Sequence, residues 1–480
     1  MLFFFYCKMK GGFTVNKELY KLLPKIDELL KDKDIERLVE CVGKEPVKEA
    51  LNSALSVVRG DIKSGKITDE DGLKGACNSL ISDALNSLSE DEGSLKRVIN
   101  ATGVVLHTNL GRAPMPRRLV ERLANNLFGY MNLEYNLERG KRGERYEHIE
   151  DVICKVTGAE AAFAVNNNAA AVMLMCAALG TRKEIIVSRG EQIEIGGKFR
   201  IPDIIKRSNA KMVEVGATNK THIKDYEEAI SDKTAAILKV HTSNYRIVGF
   251  TDSVERDELV VLSHAHGIPV IEDLGSGVLI DLSRYGLSKE PTVMDSLKAG
   301  VDLVSFSGDK LLGGTQAGII VGKKELIEKC KKHPLTRAFR IDKMQALLIA
   351  EIFKMYEDPV YAVKNIPVLR MLTEEESIVR ARAKKLYGAL KSIKGNSLKI
   401  DIVETENYAG GGSLPEEKLK GVAIRLSDKV SANIHAENFR KMKTPLIVRV
   451  EDGAVLIELR TIDDDELDIV ADAIKEEYAL

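Results

Sequence analysis

Between residues 161 and 306 the sequence repeatedly alternates short, mostly apolar segments with longer segments of helical periodicity. The short segments are Ala161–Val165, Glu184–Val187, Met212–Val215, Ala235–Val240, Pro269–Ile271 and Leu303–Phe306. Apolar strands that alternate with helices are typical of a parallel sheet covered by helices on both faces. We therefore predict an α/β fold for this region, with Gly318–Val321 as one further strand at the edge of the sheet.

Different patterns before and after this region indicate further domains. Apolar stripes at helical spacing between residues 17 and 59 predict a helical N-terminal domain, and polar segments at 61–75 and 87–94 predict a connector. Long helical patterns followed by a predicted hairpin at 446–459 indicate a small α+β domain. We place the domains at 1–95 (helical domain and linker), 96–345 (large α/β domain) and 346–480 (small α+β domain).

Charge and cysteine usage exclude several classes of protein. Lys plus Arg number 71 against 72 Asp plus Glu, so no net charge favours polyanions as partners. The six cysteines show no C-x-x-C spacing, which disfavours a metal site or a disulfide framework and favours a reducing cytoplasm. The apolar start at 2–7 is too short for a signal peptide, and Met9 is a second candidate start. No apolar run is long enough for a membrane helix, so we expect a soluble cytoplasmic protein.

Asp273 and Lys310 are the most informative pair of residues. Each follows a predicted strand, and α/β sheets bind ligands at the carboxyl ends of their strands. Pyridoxal phosphate needs a lysine that forms a Schiff base and an acid that keeps its pyridine nitrogen protonated. Either residue alone is better explained as a solvated lysine or a helix-capping aspartate. Ser307 before Lys310 and Gly313 after it favour the cofactor interpretation.

Other segments supply candidate partners for such a cofactor. Asn167 and Asn168 lie between a predicted strand and a helix, whose N-terminal amides are suited to hold a phosphate. An ordinary helix cap explains the asparagines equally well. His241 follows another strand and is a candidate contact for the ring or the substrate, with a capping or packing role as its alternative.

Five segments together resemble bacterial selenocysteine synthase, the L-seryl-tRNA(Sec) selenium transferase family. They are R-V-I-N-A-T-G-V-V-L-H-T-N-L-G-R-A-P (97–114), A-V-N-N-N-A-A-A-V (164–172), S-R-G-E-Q-I-E-I-G-G (188–197), E-D-L-G-S-G (272–277) and S-G-D-K-L-L-G-G-T-Q-A-G (307–318). The resemblance also covers the helical N-terminal region and G-G-G-S-L-P at 410–415. It implies a fold-type-I pyridoxal-phosphate enzyme with Lys310 as the Schiff-base residue and Asp273 as the pyridinium partner.

The resemblance further implies a reaction and a second substrate. The family converts L-seryl-tRNA(Sec) to L-selenocysteinyl-tRNA(Sec) by loss of the seryl hydroxyl, an aminoacrylyl-tRNA intermediate and addition of selenium from selenophosphate. Lys310 is then the candidate general base. Asp309 is a candidate to assist departure of the hydroxyl or to orient Lys310, and a role in the turn explains it equally well. Arg112, Arg337 and Arg340 match arginines that bind the selenium donor, although 337 and 340 also fit a basic surface segment.

The N-terminal domain is implied to bind the selenocysteine tRNA by its shape, with a role in oligomer assembly as the alternative. The resemblance implies a homo-oligomer built from dimers, a decameric ring in the family. Two other functions stay open at this point. One is a related pyridoxal-phosphate lyase or aminotransferase acting on a small phosphorylated amino compound, and the other is a tRNA-binding scaffold on an inactive enzyme fold.

Overall fold

The computed structural model describes residues 17–89, 93–245, 247–391, 393, 398–415 and 417–478. The apolar start at 2–7 and the candidate start Met9 lie outside this range. The described residues form two compact units, within Met1–Arg97 and Val98–Leu480. Across the described ranges, no helix combines the length and the apolar character needed to cross a membrane.

The first unit is helical, as the sequence predicts. Its helices are α1 (Lys17–Lys21), α2 (Ile26–Leu29), α3 (Lys33–Val42), α4 (Lys44–Ser64) and α5 (Glu70–Ser89). The predicted connector at 61–75 is wrong, because α4 continues to Ser64 and α5 begins at Glu70. Ile62, Ile67 and Leu73 are buried in one hydrophobic cluster with residues of α4 and α5. Of the predicted connector at 87–94, the first three residues belong to α5, and 90–92 lie outside the described residues.

The second unit contains seventeen named strands and fifteen further α-helices among its described residues. The strands are β1 (Ile99–Ala101), β2 (Val104–Leu106), β3 (Tyr135–Asn136), β4 (Lys141–Arg142), β5 (Ala161–Val165), β6 (Glu184–Ser188), β7 (Glu194–Ile195), β8 (Phe199–Arg200), β9 (Lys211–Val215), β10 (Thr234–Val240), β11 (Val270–Gly275), β12 (Leu303–Ser307), β13 (Gly318–Gly322), β14 (Lys399–Gly410), β15 (Lys418–Ser427), β16 (Leu446–Glu451) and β17 (Ala454–Glu458). The helices are α6 (Arg117–Leu127), α7 (Glu147–Thr157), α8 (Asn168–Gly180), α9 (Ile201–Arg207), α10 (Ile223–Ala229), α11 (Arg256–Ala265), α12 (Val293–Lys298), α13 (Lys324–Lys332), α14 (Leu335–Ala338), α15 (Lys343–Met355), α16 (Pro359–Asn365), α17 (Pro367–Thr373), α18 (Glu376–Leu390), α19 (Ala432–Lys441) and α20 (Leu467–Tyr478).

A seven-stranded sheet forms the centre of this unit, in the order β5-β13-β12-β11-β10-β6-β9. The neighbours from β12 to β9 pair in parallel, whereas β13 is antiparallel to both β12 and β5. The prediction of an edge strand at 318–321 is therefore wrong. β13 lies inside the sheet with all five residues buried, and its apolar sequence fits that interior position.

Helices cover both faces of the seven-stranded sheet. Along β5, Ala162 and Ala164 belong to one hydrophobic cluster, while Ala161, Phe163 and Val165 belong to another. The first cluster includes side chains of α6, α7, α11 and α15, and the second includes side chains of α8, α9 and α13. The predicted α/β class, with a helical N-terminal region, is thereby confirmed.

A second, six-stranded sheet has the order β1-β16-β17-β15-β14-β2. It packs with α18, α19 and α20 around a separate hydrophobic cluster. The predicted hairpin at 446–459 is present as the antiparallel pair β16–β17. The domain limits drawn from the sequence differ from this packing in two places. β1 and β2 join the second sheet. The buried side chains of α15, α16 and α17 belong to the hydrophobic cluster that packs on the first sheet.

The two sheets supply the chain segments that surround one cavity. β5, β10, β11 and β12 all end at the same edge of the first sheet, since β5 and β12 flank the antiparallel β13. In the second sheet, Gly410 pairs with Leu106, so the segments after β2 and β14 begin side by side.

Candidate active site

A cavity of about 480 Å³ lies at this edge of the first sheet. It brings together eight of the ten residues that the sequence proposed for the site. These are Arg112, Asn167, Asn168, His241, Asp273, Ser307, Asp309 and Lys310. The other two, Arg337 and Arg340, are not among the described residues that line it. The carboxyl ends of parallel strands are the expected position for a ligand in this architecture.

Lys310 lies in the turn that follows β12. This turn is held by a hydrogen bond from the Leu311 amide to the Ser276 carbonyl, 3.0 Å, and by one from the Gly313 amide to the Lys310 carbonyl. Burial lowers the pKa of the Lys310 ammonium, and the negative charge of Asp273 partly offsets this effect. A lysine with a depressed pKa is neutral in a larger fraction of molecules, and a neutral amine is the form that attacks a carbonyl group.

Asp273 is a buried carboxylate near the end of β11. Its Oδ1 accepts a hydrogen bond from Asn168 Nδ2 at 2.8 Å. Burial raises the pKa of Asp273, while the bond from Asn168 and the charge of Lys310 act in the opposite direction. A Cβ atom placed on Gly275 would lie 3.9 Å from both Asp273 Oδ1 and Lys310 Nζ, so the two charged groups face one small space.

The two asparagines at the start of α8 have different partners. The Asn167 side chain caps the helix by accepting a hydrogen bond from the Ala170 amide at 2.9 Å. Asn168 instead holds Asp273, and its own Oδ1 is buried without a partner among the described residues. The N-terminus of α8 therefore opens into the cavity, where its amides and dipole favour an anionic group.

An arginine–aspartate ion pair and a histidine–glutamate contact lie beside the lysine and the aspartate. Arg112 Nη1 donates to Asp309 Oδ2 at 2.6 Å, and the backbone of Arg112 has a positive φ of 66°. His241 Nε2 lies 2.9 Å from Glu290 Oε1, and the His241 amide donates to the Asp273 carbonyl. Glu290 is buried, and the sequence alone had not indicated it as a partner of His241.

Ser307 is buried at the end of β12 and lines the cavity. Sequence reasoning did not assign roles to four further lining residues: Thr108, Ser243, Gln316 and Gly412. Three of these four lie in segments that carried the family resemblance, at 97–114, 307–318 and 410–415. That resemblance was the only available signal, because none of the four is distinctive by residue type.

Arg340 and Arg337 lie outside the cavity lining. Arg340 forms a bridge with Val165 at the end of β5, and its guanidinium contacts Glu134 at 3.3 Å. Arg337 is exposed on the short helix α14. Their proposed role with a substrate anion therefore stays a prediction, whereas Arg112 is placed directly at the cavity.

Gly412 approaches Lys310 so closely that a side chain does not fit. Its φ is +88°, and a Cβ atom would lie 2.7 Å from both Cε and Nζ of Lys310. We expect Gly412→Ala to displace Lys310 and to reduce turnover by about tenfold or more, beyond the cost of backbone strain. Gly286→Ala is the matched control, since Gly286 has a φ of +82° with open space around it.

Thermal unfolding and turnover are measured for both variants. Both should lose stability to a similar extent, and only Gly412→Ala should lose activity. Equal turnover in the two variants would show that the contact between Gly412 and Lys310 is unimportant.

The residues around the cavity fit pyridoxal phosphate. The cavity volume lies within the ordinary range for cofactor sites. A partly buried lysine of depressed pKa and a buried carboxylate face the same space, and the N-terminus of α8 lies beside them. The unpartnered Asn168 Oδ1 can accept a hydrogen bond from a bound group.

Comparison with known proteins gives matches along nearly the whole chain. A family model described as "L-seryl-tRNA selenium transferase" matches residues 98–463, and one described as "Selenocysteine synthase N terminal" matches residues 20–59. The chain is 48% identical over 467 residues to an L-seryl-tRNA(Sec) selenium transferase of Clostridium perfringens (strain 13 / Type A), covering 96% of this chain and 99% of the relative. It is 46% identical over 464 residues to the enzyme of the same name from Alkaliphilus oremlandii (strain OhILAs), covering 96% and 98%.

A solved structure shares the fold at lower similarity. D-glucosaminate-6-phosphate ammonia-lyase matches with a TM-score of 0.55 and 20% sequence identity, covering 80% of this chain and 96% of that chain. At this level of identity the similarity concerns the fold alone.

Proposed function

The chain belongs to the L-seryl-tRNA selenium transferase family, and from this membership we infer that it converts L-seryl-tRNA(Sec) to L-selenocysteinyl-tRNA(Sec). The observation that carries this inference is that Lys310 and Asp273 face one cavity in a chain that matches its relatives over nearly their full length. The residue roles and the substrates named below are proposals that rest on this site.

Pyridoxal phosphate is the proposed cofactor. Lys310 would hold it covalently, Asp273 would contact its ring nitrogen, and the N-terminus of α8 at Asn167 would receive its phosphate. Ser307 and His241 would complete the pocket, since both line it. When bound, the cofactor draws electron density from the bond between the substrate Cα and its proton.

The residues of the chain are proposed to perform the proton transfers. Lys310 is the proposed general base, because burial favours its neutral amine and thus its ability to take the Cα proton of the seryl group. Asn168 keeps the Asp273 carboxylate oriented through its hydrogen bond. Asp309, beside Lys310 and paired with Arg112, is the proposed residue that assists departure of the hydroxyl or orients Lys310.

Selenophosphate is the proposed selenium donor. Arg112 lines the cavity, and its guanidinium is suited to a phosphate-like anion because it donates bidentate hydrogen bonds. Arg337 and Arg340 are proposed to contribute from the adjoining segment after α13. In this scheme Asp309 holds Arg112 in place until the donor binds.

A single-turnover assay with seryl-tRNA(Sec) and selenophosphate tests the function directly. We expect selenocysteinyl-tRNA(Sec) as the product, and only when both substrates are present. A protein that binds pyridoxal phosphate but leaves seryl-tRNA unchanged while acting on a small phosphorylated amino compound would instead be the related lyase or aminotransferase.

The helical unit within residues 1–97 is proposed to bind the tRNA. The support is that the unit is compact in itself and that its residues 20–59 match the N-terminal family model. Deletion of residues 1–97 should leave a protein that still binds pyridoxal phosphate but binds seryl-tRNA(Sec) at least about tenfold more weakly. Filter binding and cofactor absorbance measure the two properties. Unchanged tRNA affinity in the truncated protein would favour a role in assembly.

We also propose a homo-oligomer built from dimers in the cytoplasm. The segment before α7 exposes several large apolar side chains, namely Phe128, Tyr130, Tyr135 and Leu137. Contiguous exposed apolar side chains are common at interfaces between protein chains. The decameric ring of the family is the proposed assembly, and light scattering of the purified protein tests it.

A further inference from the structure

One carboxylate outside the cavity is surrounded by three arginines. Glu134 Oε1 lies 2.9 Å from Arg145 Nη2 and 3.3 Å from Arg340 Nη1, and Glu134 Oε2 lies 3.6 Å from Arg142 Nη2. We call Arg142, Arg145 and Arg340 the arginine cluster. With Glu134 as its central anion, three positive charges face a single negative charge.

Glu134 pairs with only some of the N–H donors and positive charges of the arginine cluster. The Arg145 side chain is 12% exposed, and its Nε is buried without a partner among the described residues. Its Nη1 donates to the Ile341 carbonyl, which fixes the position of the guanidinium. Arg340 is about one-third exposed and remains accessible to a ligand. Arg142 is 81% exposed, so Arg145 is the fixed member of the cluster. A cluster with one fixed guanidinium and a surplus of positive charge is suited to an anion with more than one charge.

The backbone at Arg340 is hydrogen-bonded to the segment that leads into the cavity lining. Arg340 bridges Val165, and the Asn166 amide donates to the Phe339 carbonyl at 2.9 Å. The next residues along the chain, Asn167 and Asn168, line the cavity. Gln345 Nε2 donates to the carbonyl of Gln316, which is another lining residue. The backbone of Arg340 therefore adjoins the segment that lines the cavity containing Lys310.

We propose that the arginine cluster is a binding subsite for a phosphate-like dianion and that Glu134 occupies it until the dianion displaces the carboxylate. This inference rests on the proposed function and extends it. It adds Arg142 and Arg145 to the donor subsite and makes Glu134 the residue that sets donor affinity. A carboxylate carries one charge, so a dianion outcompetes it at three guanidinium groups more effectively than a monoanion does.

A purely structural role for Glu134 makes the opposite prediction. If the carboxylate only holds Arg340 in place, its removal loosens the arginine and weakens anion binding. If it competes with the anion, its removal strengthens binding. The sign of the change therefore separates the two roles.

The test uses the full-length protein and inorganic phosphate as the probe, with binding measured by calorimetry. We expect Glu134→Gln to tighten phosphate binding by about tenfold, which corresponds to about 1.4 kcal/mol. The matched control is Glu138→Gln, which removes the same charge from an exposed neighbour in the same segment and should leave the affinity unchanged. Arg340→Lys should weaken phosphate binding, because a point charge does not reproduce the guanidinium fork.

A second measurement uses the catalysed reaction. The selenophosphate concentration at half-saturation should fall in Glu134→Gln with seryl-tRNA saturating. Unchanged or weaker phosphate binding in Glu134→Gln, relative to Glu138→Gln, overturns the proposal. If the wild-type protein transfers no selenium while Glu134→Gln still tightens phosphate binding, the proposed function fails and the anion subsite stands.

Discussion

Replacement of Lys310 by alanine should abolish covalent attachment of pyridoxal phosphate and reduce selenium transfer by about a thousandfold or more. The reason is that Lys310 is proposed to act twice, as the attachment point and as the base that takes the Cα proton. Its amine is the one that faces Asp273 across the space beside Gly275. The neighbouring carboxylate of Asp309 is already paired with Arg112.

Borohydride reduction followed by peptide mapping measures the attachment. The wild-type protein should carry the reduced cofactor on the peptide that contains Lys310, and Lys310→Ala should carry none there. Lys298→Ala, at an exposed lysine in α12, is the control and should behave as the wild type. Label on a different lysine in the wild-type protein would refute the assignment.

Replacement of Asp273 by asparagine should retain the attached cofactor but reduce turnover by roughly a hundredfold or more. Asparagine keeps an oxygen that can accept the hydrogen bond from Asn168, so the variant removes the negative charge with little change in shape. Without this charge, the ring nitrogen of the bound cofactor has no anionic partner. In the protein without cofactor, the pKa of the Lys310 ammonium should also fall further, because the charge of Asp273 supports its protonated form.

Two readouts separate this effect from misfolding. The absorbance of the bound cofactor should show that the site is still loaded, and the pH dependence of cofactor attachment to the empty protein should shift to lower pH as the pKa of the free Lys310 ammonium falls. Asp232→Asn changes an exposed aspartate in the loop before β10 and serves as the control for the loss of one charge. Wild-type turnover in Asp273→Asn would remove Asp273 from the reaction.

Sequence patterns identified individual strands more reliably than their positions in the sheet. All six predicted strands between residues 161 and 306 are present. Five of them are mostly buried, as apolar strands inside a covered sheet should be, whereas most residues of the edge strand β9 are partly or fully exposed. The position of β13 was predicted wrongly, since its apolar sequence shows burial but not which strands are its neighbours. The end of α4 and the start of α5 were not predicted, because the buried residues Ile62, Ile67 and Leu73 are separated by many polar residues in the sequence.

The sequence by itself predicted most residues of the candidate site. Asp273 lies near the end of β11 and Lys310 follows β12, and such positions predict that the two residues meet, because neighbouring parallel strands end at a common edge. The family was recognised from five long motifs, because the identity of their residues, and not only their hydrophobic pattern, matches the family.

Only the tertiary structure decided which groups hold these residues in place. Four such contacts join residues far apart in the sequence: Asn168 with Asp273, Glu290 with His241, Gly412 with Lys310, and Glu134 with Arg340. The second sheet brings the segments after β2 and β14 side by side, although some 300 residues separate them in the chain. Such contacts depend on how elements pack against one another, and the local hydrophobic periodicity of a sequence does not encode that packing.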